Sequence, residues 1–240
     1  MRIYMNAAEA FEEVKRDLAE MGIWVRPKTM QDKVVEGDIN YETTELQNYC
    51  YTILNANSKQ VPGVDQPWAD LEFEERVHDP WLRNRDHTPI AAEFINPGKA
   101  WSTRSEVWGE FMHNGRMGYT YNELIWNNDQ LTKIINRLKE DPDSRQLWIS
   151  LWDPTRDPDL LGGISRVPCS LGYGLQVRNG KLNLHYVMRS CDFSTHFPND
   201  VYLAIKMLEY IAKETGYPVG NFTHTIFSLH VYRKDLKNVF

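Results

Sequence analysis

The chain has 240 residues, 42% of them hydrophobic and 25% charged, with a formal net charge of −6. This is enough apolar material for a sizeable core. The acidic balance argues against a broad nucleic-acid surface, and no apolar run approaches the roughly 18 residues of a membrane span. The three cysteines, Cys50, Cys169 and Cys191, follow no charged-then-apolar leader, so reduced thiols in the cytoplasm are expected. CxxC, HExxH and His/Cys clusters at ligand spacing are all missing, so no metal is expected.

Taken in order, residues 6–21 predict an amphipathic helix, with Ala7, Phe11, Val14 and Leu18 on one stripe, Asn6 as its cap and Gly22 as its stop. Residues 45–55 are aromatic and β-branched, the composition of a strand. Pro62, Pro67, Pro80 and Pro89 punctuate an acidic stretch and predict loops and short turns there. Residues 90–96 predict a short helix that buries Glu93. A basic-aromatic turn at 114–121 leads to a helix over 127–140, capped by Asn127 or Asn128. Residues 146–152 alternate as a strand. Two further strands, 170–177 and 181–188, flank Asn179-Gly180, a two-residue hairpin signal. A long helix over 199–214 and a last strand over 222–232 complete the chain. Mixed elements with an antiparallel hairpin predict an α+β fold in a single domain, 1–240.

The chemistry gathers at the end of the strand that reaches Met188, where Arg189, Ser190 and Asp192 follow an apolar run. Charged groups there are costly unless paired or used. The hairpin sets Cys169 opposite Arg189, and a guanidinium favours a thiolate. A buried structural cysteine is the plainer alternative. No histidine is tied locally to the thiol, so addition to an electrophilic carbon fits better than amide cleavage. Ser144, Arg145, Arg189 and Ser190 offer the forks and hydroxyls that hold a phosphate, although an isolated Arg145 also reads as a surface charge. His230 and Tyr232 alternate on one strand face, where both reach a sugar hydroxyl or where His230 is simply a satisfied core histidine.

Asp141-Pro-Asp-Ser-Arg145, Pro168-Cys169, the Asn179-Gly180 hairpin, Arg189-Ser-Cys-Asp192, Phe197-Pro-Asn-Asp200 and His230-Val-Tyr232 occur in the order and spacing of the thymidylate synthase family. The resemblance covers residues 115–235, with 1–90 divergent. It implies the thymidylate synthase-like fold, a mixed sheet packed by helices whose outer face forms a homodimer interface. It makes Cys169 the nucleophile toward C6 of a pyrimidine nucleotide and Arg189 and Ser190 phosphate ligands. Arg145 becomes a phosphate ligand lent by the second subunit. Asp192 becomes the contact to the folate pterin, with 5,10-methylenetetrahydrofolate as co-substrate. His230 and Tyr232 would hold the ribose 3′-hydroxyl, and Tyr121 would be the active-site tyrosine. Glu93 is the candidate catalytic glutamate, with Glu75 as the alternative.

The departures carry the base choice. Asp200 stands where the synthases have the asparagine that reads uracil. A carboxylate accepts from the cytosine N4 amino group, and from N3–H once the ring is protonated, but it has nothing to donate to O4 of uracil. Ser170 replaces a histidine and Met188 a glutamine. With Ser228-Leu-His-Val-Tyr232, these positions resemble the phage deoxycytidylate hydroxymethylases. The chain stops at Phe240, where family members continue into a folate-closing tail. The expectation is hydroxymethylation at C5 of dCMP through a Cys169–C6 adduct, in a host cytoplasm if phage-encoded. A cytidylate 5-methyltransferase or a divergent thymidylate synthase is the alternative, and a non-catalytic nucleotide-binding homologue the third.

Overall fold

The computed structural model describes residues 1–30, 33–79, 96, 98–103, 109, 112–161 and 166–240. The helix expected at 90–96, and with it Glu93, lies outside the described residues except for Asn96.

A seven-stranded mixed sheet organises the chain. Its order is β1 (Arg2–Tyr4), β5 (Thr43–Ile53), β11 (Val219–Tyr232), β10 (Lys181–Asp192), β9 (Ser170–Arg178) and β8 (Trp148–Ser150), with β2 (Ile23–Val25) also on β5. Two short hairpins stand apart, β3 (Thr29–Met30) with β4 (Lys33–Val34), and β6 (Met112–His113) with β7 (Arg116–Met117). Asn179 and Gly180 both take positive φ, so the predicted two-residue turn forms and pairs β9 with β10 antiparallel. On β10 the inward residues alternate, with Leu182, Leu184, Tyr186 and Met188 all buried.

Helix α1 (Ala7–Met21) starts where predicted, because the Asn6 side chain accepts from the Glu9 amide. Helices α2 (Trp68–Arg76), α3 (Lys99–Ser102), α4 (Tyr121–Trp126) and α5 (Gln130–Glu140) precede β8 or lie before it in the chain. Helix α6 (Phe197–Thr215) crosses between the parallel strands β10 and β11, and α7 (Leu236–Val239) follows β11. Helix α6 is apolar nearly all round, with Val201, Leu203, Ile205, Leu208 and Ile211 buried, as befits a helix sunk in a core. Each such side chain contributes about 1.5–3 kcal/mol of burial.

Several boundaries differ from the sequence expectations. The Pro-rich stretch contains α2, a nine-residue helix. The helix expected over 127–140 starts three residues later, at Gln130, because Asn128 and Asp129 take left-handed backbone and separate α4 from α5. Strand β10 does not stop at Met188 but runs to Asp192, since Ser190, Cys191 and Asp192 pair with Ser228, Leu229 and His230 of β11. Helix α6 opens at Phe197, two residues before Asn199, with Pro198 in its first turn, where a missing N–H costs nothing.

Candidate active site

The topology itself brings the chemistry together. Strands β10 and β11 are parallel, so their carboxyl ends lie side by side, with the first turn of α6 above them. Crevices at such strand ends are the usual ligand sites of sheets with crossover helices. Strand β9 is antiparallel to β10, so the residue preceding it, Cys169, lies beside the end of β10 and accepts a 2.8 Å backbone hydrogen bond from the Arg189 amide at its carbonyl. A cavity of about 320 Å³ opens at this junction. Cys169, Tyr121, Ser190, Asp192, Asp200, His230 and Tyr232 all line it.

Arg189 sits behind Cys169 and is not part of the cavity wall among the described residues. Its Nε donates to the Pro168 carbonyl and its Nη2 to the Val167 carbonyl, both at 2.9 Å, and Nη2 also lies 3.7 Å from Cys169 Sγ. The guanidinium thus clamps the loop that presents the thiol. Burial pushes the Cys169 thiol up, against Arg189, which pulls it down, and with Asp200, which reinforces the rise. The sequence expectation of a thiol activated by Arg189 identified the neighbour, but desolvation outweighs it.

Tyr121 accepts at its hydroxyl from the Ser170 amide at 3.3 Å and stacks edge-on to Tyr119. Asp192 accepts at Oδ1 from both the amide and the hydroxyl of Ser194, at 3.0 and 2.7 Å. His230 and Tyr232 meet as a T-shaped pair with ring centroids 5.1 Å apart, and burial lowers the proton affinity of His230. Asp200 lies in the first turn of α6, where Cys191 Sγ donates to its Oδ2 at 3.5 Å. Burial raises the Asp200 carboxyl, with His196 and Arg76 opposing the rise. Arg145 is exposed and lines a separate groove on the outer sheet face, with Trp148, Gln176 and His185. It does not reach Cys169 within one chain.

Helix α2 adds what the sequence reading missed. Trp68 and Arg76 line the cavity, and between them Glu72 is 1% exposed, with Oε1 accepting from Arg76 Nε at 2.8 Å. Burial raises the Glu72 carboxyl, opposed by Arg76 and by a hydrogen bond with Trp101. Glu75, the alternative to Glu93, is engaged elsewhere. Its Oε1 accepts from the Ala100 amide at 2.6 Å at the start of α3, and burial pushes it up to about 7. The signal for Glu72 was an i,i+4 carboxylate–guanidinium pair flanked by Trp68 and Phe73, hidden among prolines.

Among the described residues, no His, Cys, Asp and Glu group converges to hold a metal, and no helix is long and apolar enough to cross a membrane.

Known proteins place this arrangement. The fold superposes on thermostable thymidylate synthase A from Bacillus subtilis with a TM-score of 0.72 at 20% identity, covering 97% of this chain and 82% of that one. Two Methanosarcina proteins carry the name "Putative thymidylate synthase". The one from Methanosarcina barkeri is 27% identical over 228 residues, 91% of this chain and 94% of its own length. The one from Methanosarcina acetivorans is 35% identical over 121 residues, 49% of this chain and 54% of its own length. The thymidylate synthase family model matches residues 97–240, more than half of the chain and the stretch that carries Cys169, Arg189, Asp200 and Tyr232, so this chain belongs to the thymidylate synthase family.

Proposed function

We propose that this single catalytic domain hydroxymethylates C5 of a cytidine monophosphate, dCMP in the first place. Folate-dependent one-carbon transfer to a nucleotide is the chemistry of the family to which the chain belongs. The observation that carries the cytosine reading is Asp200, a carboxylate with raised proton affinity facing the cavity that Cys169 also faces.

Cys169 Sγ adds to C6, and the displaced electron pair is received at N3 together with a proton from Asp200. Burial raises the affinity of this carboxyl for a proton, which suits it to pass one to N3 as addition proceeds. Once N3 carries the proton, the Asp200 carboxylate accepts from N3–H and from the N4 amino group, whereas it would meet O4 of uracil acceptor to acceptor. Arg189 fixes the loop that carries the thiol, and its charge stabilises the thiolate. Ser190, and Arg145 from a second subunit, would hold the phosphate. The exposed Trp148 beside Arg145, and the exposed Phe227 on the outer sheet face, support a second copy there. His230 and Tyr232 would take the 3′-hydroxyl.

The residues beside the proposed nucleotide site suit a folate. Asp192 offers a carboxylate to a pterin, and Tyr41, Tyr232 and Lys234 form an aromatic and cationic rim. When bound, 5,10-methylenetetrahydrofolate would supply the one-carbon unit that C5 takes up, C5 losing its proton and tetrahydrofolate departing to leave an exocyclic methylene on the ring. We assign the role of catalytic glutamate to Glu72, which replaces Glu75 and stands in for Glu93. Its raised carboxyl next to Trp101 is suited to hold the water that enters at the new carbon. As C–O forms there, the double bond returns to C5–C6 and Cys169 leaves with the pair it brought.

The test is an assay of dCMP, CMP and dUMP with methylenetetrahydrofolate, with products weighed by mass spectrometry. A hydroxymethyl product with tetrahydrofolate is expected, and Cys169→Ala should abolish it. A methyl product with dihydrofolate would replace water by hydride in this reading. Equal use of dCMP and dUMP would overturn the base assignment.

A further inference from the structure

His196 plays no part in the chemistry just described, yet it stands in the cavity wall together with Asp192 and Asp200. It is half-buried and immediately precedes α6. The residue at such a place is usually one whose side chain caps the free helix amides, as Asn6 does before α1. The imidazole of His196 makes no such cap, so the start of α6 does not depend on it. Its backbone is fixed on both sides. The His196 amide donates to the Asp192 carbonyl at 3.0 Å, and the His196 carbonyl accepts from the Asp200 amide at 2.8 Å. The second bond is helical, spanning four residues, so His196 and Asp200 lie one turn apart on the same face.

That position has a chemical meaning. In the proposed reaction Cys169 attacks C6, and Asp200 reads N3 and the amino group on C4. C5 lies between C4 and C6, so the carbon it carries projects from the ring beside the Asp200 contact. Asp192, on the other side of His196, is the proposed folate contact. The one-carbon unit would therefore pass from folate to base along the stretch of wall that His196 occupies. The other basic groups nearby are engaged. Asp192 accepts twice from Ser194, and Asp200 accepts from Cys191. His230 packs against Tyr232, its partner in the proposed ribose contact. Glu72 has one carboxylate oxygen on Arg76 and is 1% exposed.

We infer that His196 is a catalytic residue, the group that takes the proton from the water that adds to the exocyclic methylene. The inference rests on the hydroxymethylation reading. The water oxygen bonds to the methylene carbon, and one water proton passes to an imidazole nitrogen. The methylene π pair moves into the ring as the C5–C6 double bond, and the C6–S bond breaks with its pair on Cys169. Glu72 holds the water and His196 deprotonates it. In reverse, His196 returns the proton to the hydroxyl of 5-hydroxymethyl-dCMP as Cys169 adds to C6, and water departs. The water step can therefore be followed without folate.

The full chain is incubated with 5-hydroxymethyl-dCMP in water enriched in heavy oxygen, and entry of the label is followed by mass spectrometry. The parent should exchange its hydroxyl oxygen. His196→Ala should slow exchange by about 100-fold, with the calorimetric affinity for the nucleotide kept within about threefold. His196→Gln, which keeps size and hydrogen bonding but takes up no proton, should be as slow, and it decides if the alanine variant fails to fold. In the forward reaction with folate, added mercaptoethanol competes with water for the methylene, so both variants should make a larger share of thioether. Exchange near the parent rate in the alanine variant, or restored by glutamine, overturns the role of His196 alone. So does a parallel loss of affinity and of both products, which a structural residue would give. A parent that makes hydroxymethyl-dCMP but exchanges no oxygen leaves the thioether share to decide, and an unmoved share overturns the inference. A parent that makes a methyl product overturns the hydration reading and this inference with it.

Discussion

Asp200→Asn is the sharpest perturbation of the base assignment. Cys191 Sγ donates to Asp200 Oδ2 at 3.5 Å, so an amide here places its carbonyl toward Cys191 and its NH₂ toward the cavity. The group that faces the base at the C4 substituent then changes from an acceptor to a donor. Against cytosine it meets the N4 amino group donor to donor. Against uracil it gains the O4 acceptor that a carboxylate repels. Each mismatched polar contact at such a site costs about 1–3 kcal/mol. The swap reverses one contact for each base, so the dCMP:dUMP preference should move by about 2–6 kcal/mol. Asp200 is only half-buried with the cavity open, which argues for the lower half of that range. About 3 kcal/mol corresponds to roughly a 100-fold change in the ratio. The assay is kcat/KM for both nucleotides, with thermal melting to confirm that the variant is folded. A ratio that stays within about threefold, or moves further toward cytosine, would refute the reasoning.

Glu72→Gln should lower kcat by about 10²–10⁴-fold, whereas Glu75→Gln, which keeps an acceptor for the Ala100 amide, should stay within a few-fold; steady-state rates of the two variants separate them. Gly172→Ala would set a Cβ 2.4 Å from the Ile149 carbonyl and 2.4 Å from the Trp148 ring, so the β8–β9 edge must shift, at a cost of about 1–3 kcal/mol visible as a lower melting temperature. His224 is fully buried, and desolvation depresses it from 6.5 to about 3. Because its folded affinity for a proton lies below its unfolded one, its neutral form supports the fold fully above about pH 6.5 and loses that support as pH falls toward 3, by up to about 1.4 kcal/mol per pH unit. His224→Phe keeps the ring beside Tyr186 and should flatten the fall in urea midpoint between about pH 6.5 and about pH 5; an unchanged slope would assign that acid sensitivity to other groups.

The long elements were legible because their patterns are local. Asn6 and Gly22 bracket α1, and Asn179-Gly180 closes the β9–β10 hairpin in the backbone that only such residues adopt readily. Strand β10 was cut short at Met188 because polar residues follow. Their support is the β11 ladder, more than thirty positions further along the chain, and no local pattern records it. The break between α4 and α5 hangs on left-handed Asn128 and Asp129, residues that also serve as ordinary caps. Helix α2 was hidden for a stronger reason. Its inward face carries Glu72 and Arg76, paired with each other, so apolar periodicity inverts where the helix is most buried. The same inversion kept Glu72 and Arg76 out of the predicted site, although motif spacing had found Cys169, Asp192, Asp200, His230 and Tyr232 on the other wall of the cavity.

This division has a mechanical consequence. Cys169, Arg189, Asp192, His230 and Tyr232 are located by the ladders β9–β10 and β10–β11. A one-residue slip in either ladder would turn every inward side chain outward, so their mutual geometry is held by the whole sheet. Asp200 and Arg76 hang instead from one turn of α6 and the last turn of α2, two helices packed against each other over the same cavity. On the cytosine reading proposed above, a substitution at Asp200 would change the charge presented to a base without touching a strand register. The placement of the thiol is therefore insulated from changes in base choice. If Asp200 reads the base as proposed, a sheet that brings a cysteine, a carboxylate and a histidine–tyrosine pair to one edge would serve different pyrimidines through alterations at a helix end.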